Sequence, residues 1–110
     1  MQRSPITTHI LDLHRGEPAA GIAVDLHREG ELLTSARSDG DGRIDQWDSP
    51  LVLDPGRWTL VFHLEAWFAE QQRDCLFPQV SLAFRVGDCG GRYHLPLLLN
   101  QYGYTAYRGS

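Results

Sequence analysis

The sequence predicts an all-β fold, a sandwich or a barrel. Short alternating or apolar runs, separated by clusters of glycine, proline and aspartate, recur from one end of the chain to the other. No amphipathic helix of ordinary length interrupts them. The 110 residues, 42% hydrophobic and 22% charged, have the composition of one globular domain over 1–110. A chain of this size buries roughly two-thirds of the surface it exposes when unfolded, enough for one core but little for a deep private pocket. A site shared between subunits is therefore an early expectation.

Ile6 to Leu13 reads as a first strand, stopped by Arg15-Gly16-Glu17-Pro18. Ile22, Val24 and Leu26 then alternate with Ala23, Asp25 and His27, and Glu29-Gly30 turns the chain into a strand from Leu32 to Arg37. The segment Ser38-Asp39-Gly40-Asp41-Gly42 is a tight loop that delivers Arg43 at the start of a short strand. After the turn Asp54-Pro55-Gly56, one face of a strand carries Trp58, Leu60, Phe62 and Leu64. Glu65 to Gln72 is the one plausible helix, about two turns long, with Trp67 and Phe68 as its buried anchor. Val80, Leu82, Phe84 and Val86 alternate with Gln79, Ser81, Ala83 and Arg85, and Gly87-Asp88-Cys89-Gly90-Gly91 closes that strand. Arg92 to Leu99, a turn near Asn100-Gln101, and Tyr104 to Arg108 complete a count of about eight strands.

Ten basic side chains stand against 14 acidic ones, for a formal charge of -4, and all ten are arginines. The missing lysine excludes Schiff-base chemistry and the phosphate-loop lysine. The acidic balance and the lack of a basic run argue against a nucleic-acid or anionic-membrane partner. No stretch approaches a membrane span, and no signal-like apolar run follows Met1-Gln2-Arg3-Ser4-Pro5, so a soluble cytoplasmic protein is expected. Cys75 and Cys89 form no paired-cysteine motif and are expected as thiols rather than a disulfide. Neither a zinc site nor a calcium loop has its ligand spacing, so no metal and no cofactor is expected.

Strand parity locates chemistry. Between Arg92 and Leu99, Tyr93, Leu95, Leu97 and Leu99 form a core face, while Arg92, His94, Pro96 and Leu98 face the other way. On the first strand His9, Leu11 and Leu13 point opposite to Ile10, and on the last Thr105 and Tyr107 share a face. A second, semi-apolar side of a sheet is ordinarily covered by another subunit, which would place His9, His94 and Tyr107 in a partly dry interface. Spacing alone favours the plainer reading, that His9 and His94 are interfacial histidines satisfied by hydrogen bonds. His14, His27 and His63 read as structural or solvated, and no Gly-x-Ser-x-Gly elbow is present.

The ending Tyr104-Thr105-Ala106-Tyr107-Arg108-Gly109-Ser110 resembles the terminal Tyr-Arg-Gly-Ser signature of the 5-hydroxyisourate hydrolases, the enzymatic branch of the transthyretin-like family. Three further blocks are similar in the same order: Thr7-Thr8-His9-Ile10-Leu11-Asp12, Asp41-Gly42-Arg43, and Tyr93-His94-Leu95-Pro96-Leu97-Leu98-Leu99. Gly16-Glu17-Pro18-Ala19 resembles the family's turn after the first strand. The resemblance implies a transthyretin-like (prealbumin-like) sandwich of two four-stranded sheets with one short helix. It also implies a homotetramer with active sites in a channel at the dimer–dimer interface.

The activity implied is hydrolysis of 5-hydroxyisourate to 2-oxo-4-hydroxy-4-carboxy-5-ureidoimidazoline in urate degradation, without cofactor or metal. The family's substrate-contacting residues correspond to His9, Arg43 and Tyr107, the second catalytic histidine to His94, and Ser110 brings its hydroxyl or terminal carboxylate to the site rim. Arg108, facing away from Tyr107, is expected in a structural ion pair. Arg92 departs from the family's His-Tyr-His and either flanks the channel, altering its charge, or sits at the strand end in solvent, the reading favoured by the Gly-Gly turn before it. Either histidine suits the work of a general base, and Arg43 that of an oxyanion or carbonyl clamp. The alternative from another class is a thyroid-hormone-like carrier of the transthyretin type. That branch lacks the paired histidines, the Asp-Gly-Arg arginine and the Tyr-Arg-Gly-Ser ending.

Overall fold

The computed structural model describes residues 3–88 and 90–110, so Cys89, expected as a thiol, lies outside the described residues. Among them two sheets form from β1 (Ile6–Asp12), β2 (Glu17–Pro18), β3 (Ala23–Arg28), β4 (Glu31–Arg37), β5 (Arg43–Ile44), β6 (Gly56–His63), β7 (Gln79–Val86), β8 (Tyr93–Asn100) and β9 (Gly103–Ala106). One sheet runs β2-β1-β8-β9 with β5 also paired to β1, and the other runs β4-β3-β6-β7. The expected pair of four-stranded sheets is thus present, with β5 as an added stub.

Alternation dictates which faces meet. Ile10, Val24, Leu26, Trp58, Leu60, Phe62, Leu97 and Leu99 are buried between the sheets. Each such side chain is worth about 1.5–3 kcal/mol on full burial, so the strands that alternate most strictly have the most fixed register. The helix, α1 (Glu65–Ala69), is shorter than the sequence suggests: Leu64 offers no side-chain cap, and Gln72 turns left-handed at φ 58°. Phe68 is its buried anchor, whereas Trp67 is half-buried and donates its indole N–H to the Ala20 carbonyl at 2.8 Å.

Glu17–Pro18, read as a stop, pairs with Asp12 and Leu11 as β2. The loop after β4 is organised by two polar side chains. Ser38 Oγ accepts from Ile22 N at 2.9 Å and donates to the Ala19 carbonyl at 2.8 Å. Asp39 Oδ1 accepts the backbone N–H groups of Asp41 and Arg43, both at 2.9 Å. Gly42 then bends at φ 77° and its carbonyl accepts from Ile10 N at 2.7 Å, so Arg43 is delivered directly beside β1.

Candidate active site

Three strands bring the chemistry together. β1 pairs with β8 in parallel, Thr7 beside His94 and His9 beside Pro96, and with β5 antiparallel, His9 opposite Arg43. Residues paired in register share a face, so Thr7, His9, His94 and Arg43 all lie on the side of the sheet away from the core. A pocket of about 320 Å³ opens there, lined by Arg3, Thr7, Arg43, Arg92, His94, Gly109 and Ser110. Larger open grooves, of about 670 and 460 Å³, lie beside Arg57 and Arg85 and beside Trp47, and neither contains a histidine.

His94 is held on several sides. Its Nδ1 lies 2.8 Å from Thr7 Oγ1, and its carbonyl accepts from Gly109 N at 2.7 Å. A methyl at Gly109 would stand 2.8 Å from His94 Cδ2 and 3.3 Å from Pro96 Cγ, so the terminal segment closes against the ring. Burial pushes the His94 pKa below its ordinary 6.5, and the positive charges of Arg43 and of a protonated His9 push the same way. Both causes favour the uncharged imidazole.

His9 Nε2 lies 2.9 Å from the Asp41 carbonyl. A carbonyl only accepts, so Nε2 carries the proton and Nδ1 is the remaining acceptor of the neutral ring. The Arg43 side chain is half-buried and has no carboxylate within 4 Å among the described ion pairs.

Of the sequence-predicted site residues, the pocket joins His94, Arg43 and Ser110. His9 is next to it on the shared face, and Tyr107 is 53% exposed, beyond the end of β9 and outside the pocket wall. Arg92 is exposed as expected, yet it also lines the pocket. Arg108 makes no described ion pair, contrary to expectation. Its guanidinium lies 4.5 Å from the Tyr93 ring centroid and donates to the Arg92 carbonyl at 3.0 Å, a stacked site that needs no acid. Thr7 and Arg3 were not singled out by sequence. Only the parallel pairing of β1 with β8, distant in sequence, reveals Thr7. Among the described residues no three His, Cys, Asp or Glu side chains converge on a point that would hold a metal ion.

Residues 6–109 match the family model described as Transthyretin: HIUase/Transthyretin family. The chain belongs to this family. A relative from Rhizobium meliloti, 5-hydroxyisourate hydrolase 2, is 39% identical over 96% of this chain and 95% of its own. The solved structure of Klebsiella pneumoniae 5-hydroxyisourate hydrolase superposes with a TM-score of 0.86 at 40% identity, covering 96% of this chain and 98% of that one. Transthyretin from Sparus aurata superposes with a TM-score of 0.88 at 23% identity over 97% of each chain, a likeness of fold. The HIUase/Transthyretin fold thus carries, in this chain, a histidine–arginine pocket on the outer face of one sheet.

Proposed function

We propose that this chain is a hydrolase that opens 5-hydroxyisourate to 2-oxo-4-hydroxy-4-carboxy-5-ureidoimidazoline, a step of purine degradation. The observation that carries this is the pocket in which His94 and Arg43, with no ion pair among the described residues, stand on one wall, with His9 on the same sheet face. The near-full-length similarity to 5-hydroxyisourate hydrolases supports the same substrate.

His94 Nε2 takes a proton from water as the water oxygen bonds to a ring carbonyl carbon. The carbonyl electron pair moves to oxygen, where the Arg43 guanidinium stabilises it with its planar fork of donors. As the carbon–nitrogen bond breaks, the ring nitrogen leaves with a proton from the imidazolium, and the former carbonyl carbon becomes the product's carboxylate. Histidine general catalysis of this kind is worth about 10²–10⁴-fold. His9, with its Nε2 committed to Asp41, orients the ring or the water. Ser110 contacts substrate from the pocket rim, and Tyr107, outside this wall in one subunit, reaches substrate only where a second subunit closes the site.

The active unit is a homotetramer whose sites lie at the dimer–dimer interface. Support comes from the half-covered face of β1 and β8, with Leu11 and Leu98 half-buried and Leu13 52% exposed. The reaction runs in the cytoplasm, in keeping with a Cys75 thiol that has no disulfide partner among the described residues. No described helix is long and apolar enough to cross a membrane.

Decay of freshly generated 5-hydroxyisourate is the direct test. His94→Ala, His9→Ala and Arg43→Ala should each slow the enzymatic decay by at least about 10²-fold. Near-normal rates in all three would refute the assignment.

A further inference from the structure

His94 carries a hydrogen bond that the hydrolytic scheme does not use. Thr7 is 7% exposed, and its hydroxyl makes one described hydrogen bond, to His94 Nδ1 at 2.8 Å. The pairing is built by the sheet itself, since Thr7 and His94 are register partners across the parallel β1–β8 ladder. Two arrangements satisfy that distance. Either the hydroxyl donates to Nδ1, leaving Nε2–H toward the pocket, or it accepts Nδ1–H, leaving the Nε2 lone pair toward the pocket.

We propose that Thr7 is a positioning residue for His94: its hydroxyl oxygen accepts the Nδ1 proton and so presents the Nε2 lone pair to the attacking water. This rests on the hydrolytic role of His94. An imidazole that gains a proton becomes a donor at both nitrogens, so only a partner able to accept at Nδ1 stays bonded through proton uptake and release. A hydroxyl can accept, and being neutral it does so without the large upward pull on the pKa that a carboxylate partner exerts.

The groups around the ring fit a base that must remain uncharged before reaction. Arg43 from β5, His9 from β1, and Arg3 ahead of β1 all oppose a charged His94, and Asp45 after β5 favours it. Asp45 is engaged by Arg3 at 3.9 Å, and Arg92 from the start of β8 adds a further positive charge to the pocket wall. With Gly109 packed against the ring, the Thr7 bond selects which nitrogen faces the substrate.

Thr7→Val keeps the shape and removes the hydroxyl, and Thr7→Ser keeps the hydroxyl. Thr7→Val should lower kcat on the order of 10²-fold, the cost of misplacing a reacting group by about 1 Å, with KM nearly unchanged. Its acid limb in kcat/KM should move to lower pH, because the imidazolium has lost an acceptor. Thr7→Ser should restore both the rate and the limb. Equal behaviour of the two variants, or an unmoved limb in Thr7→Val, would overturn the assignment. Imidazole ¹⁵N NMR of the wild-type protein gives a readout independent of turnover. A neutral His94 protonated at Nδ1 is expected, and a neutral ring protonated at Nε2 would overturn the role of Thr7 even in an active enzyme. Loss of activity in His94→Ala, together with wild-type turnover, tests the hydrolytic reading separately.

Discussion

At the scale of single residues, the pH behaviour follows from His94. Burial, then Arg43 and His9, hold its pKa below 6.5 in the folded chain. Catalysis that needs the neutral ring should therefore persist below pH 6.5 and decline only as pH falls through the lowered value. Arg43→Gln removes one cause of the depression, so its residual activity should show an acid limb displaced to higher pH. A kcat/KM profile of the two proteins checks this, and a limb unmoved by the substitution would contradict it. The same shift has a stability consequence of determined sign. The unfolded chain binds this proton more readily than the folded one, so the contribution of His94 is intact above pH 6.5 and is lost as pH falls through the folded pKa. The histidines, Arg43 and Ser110 could be nominated from contiguous motifs of the chain, and the structure gathers His94, Arg43 and Ser110 at one pocket. The hydrogen bond of Thr7 to His94 and the stacking of Arg108 on Tyr93 could not be read ahead, because each is defined by a partner in another strand or segment.

At the scale of elements, the end of β1 is fixed by a clamp that strand patterning did not reveal. Asp12 and Arg73 form a two-point ion pair, at 2.7 and 3.2 Å, with both side chains under 10% exposed. The Arg73 guanidinium also sits 4.9 Å from the Phe68 ring centroid, which ties α1 to the sheet carrying the site. Burial raises the Asp12 pKa, but hydrogen bonds from Arg73 and from the Arg15 and His14 backbones, with the Arg73 charge, outweigh it and hold the carboxyl below 3.8. Its stabilisation is thus present above pH 3.8 and is lost as pH falls through the lowered value. Asp12→Ala strands a buried arginine and should cost about 3–5 kcal/mol in denaturant unfolding. A loss under 1 kcal/mol would mean that Gln71 Oε1, which accepts from Arg73 at 3.0 Å, suffices for the guanidinium without Asp12.

The loop before β5 makes a second demand. Gly42 has φ 77°, and a side chain there would collide with the Ile10 carbonyl and lie 3.1 Å from Ala19 N. Gly42→Ala should therefore displace Arg43 from β1 and lower both the melting temperature and kcat. Unchanged activity would show that Arg43 does not depend on this approach. The Ser38–Gly42 loop and β5 could be read ahead because glycine and aspartate mark tight turns by local chemistry. β2 could not, since Glu17–Pro18 is strand only by virtue of Leu11 and Asp12 opposite it.

At the scale of the molecule, the alternation that places the core also leaves a second face with mixed character. Thr7 and Pro96 are buried on it by their own subunit, whereas Leu11, His9, His94 and Leu98 are only half-covered. Leu11 and Leu98 are register partners, and Thr105 of β9 stands on the far side of Leu98, so the half-covered apolar strip is continuous with the histidines. If copies of this face meet, the histidines gain a dry wall that a 12.4 kDa chain does not build alone. Leu98→Glu separates the two effects. Leu98 lies outside the pocket and is half-exposed in one subunit, so the substitution should change the stability of an isolated chain by no more than about 1 kcal/mol. Placed in an interface, the same carboxylate meets apolar surface, and its desolvation should split the assembly. Sizing in solution should then show a smaller species, folded by circular dichroism, with 5-hydroxyisourate turnover sharply reduced. A wild-type protein that is already an active monomer, or a Leu98→Glu variant that is dissociated yet fully active, would show that each subunit works alone.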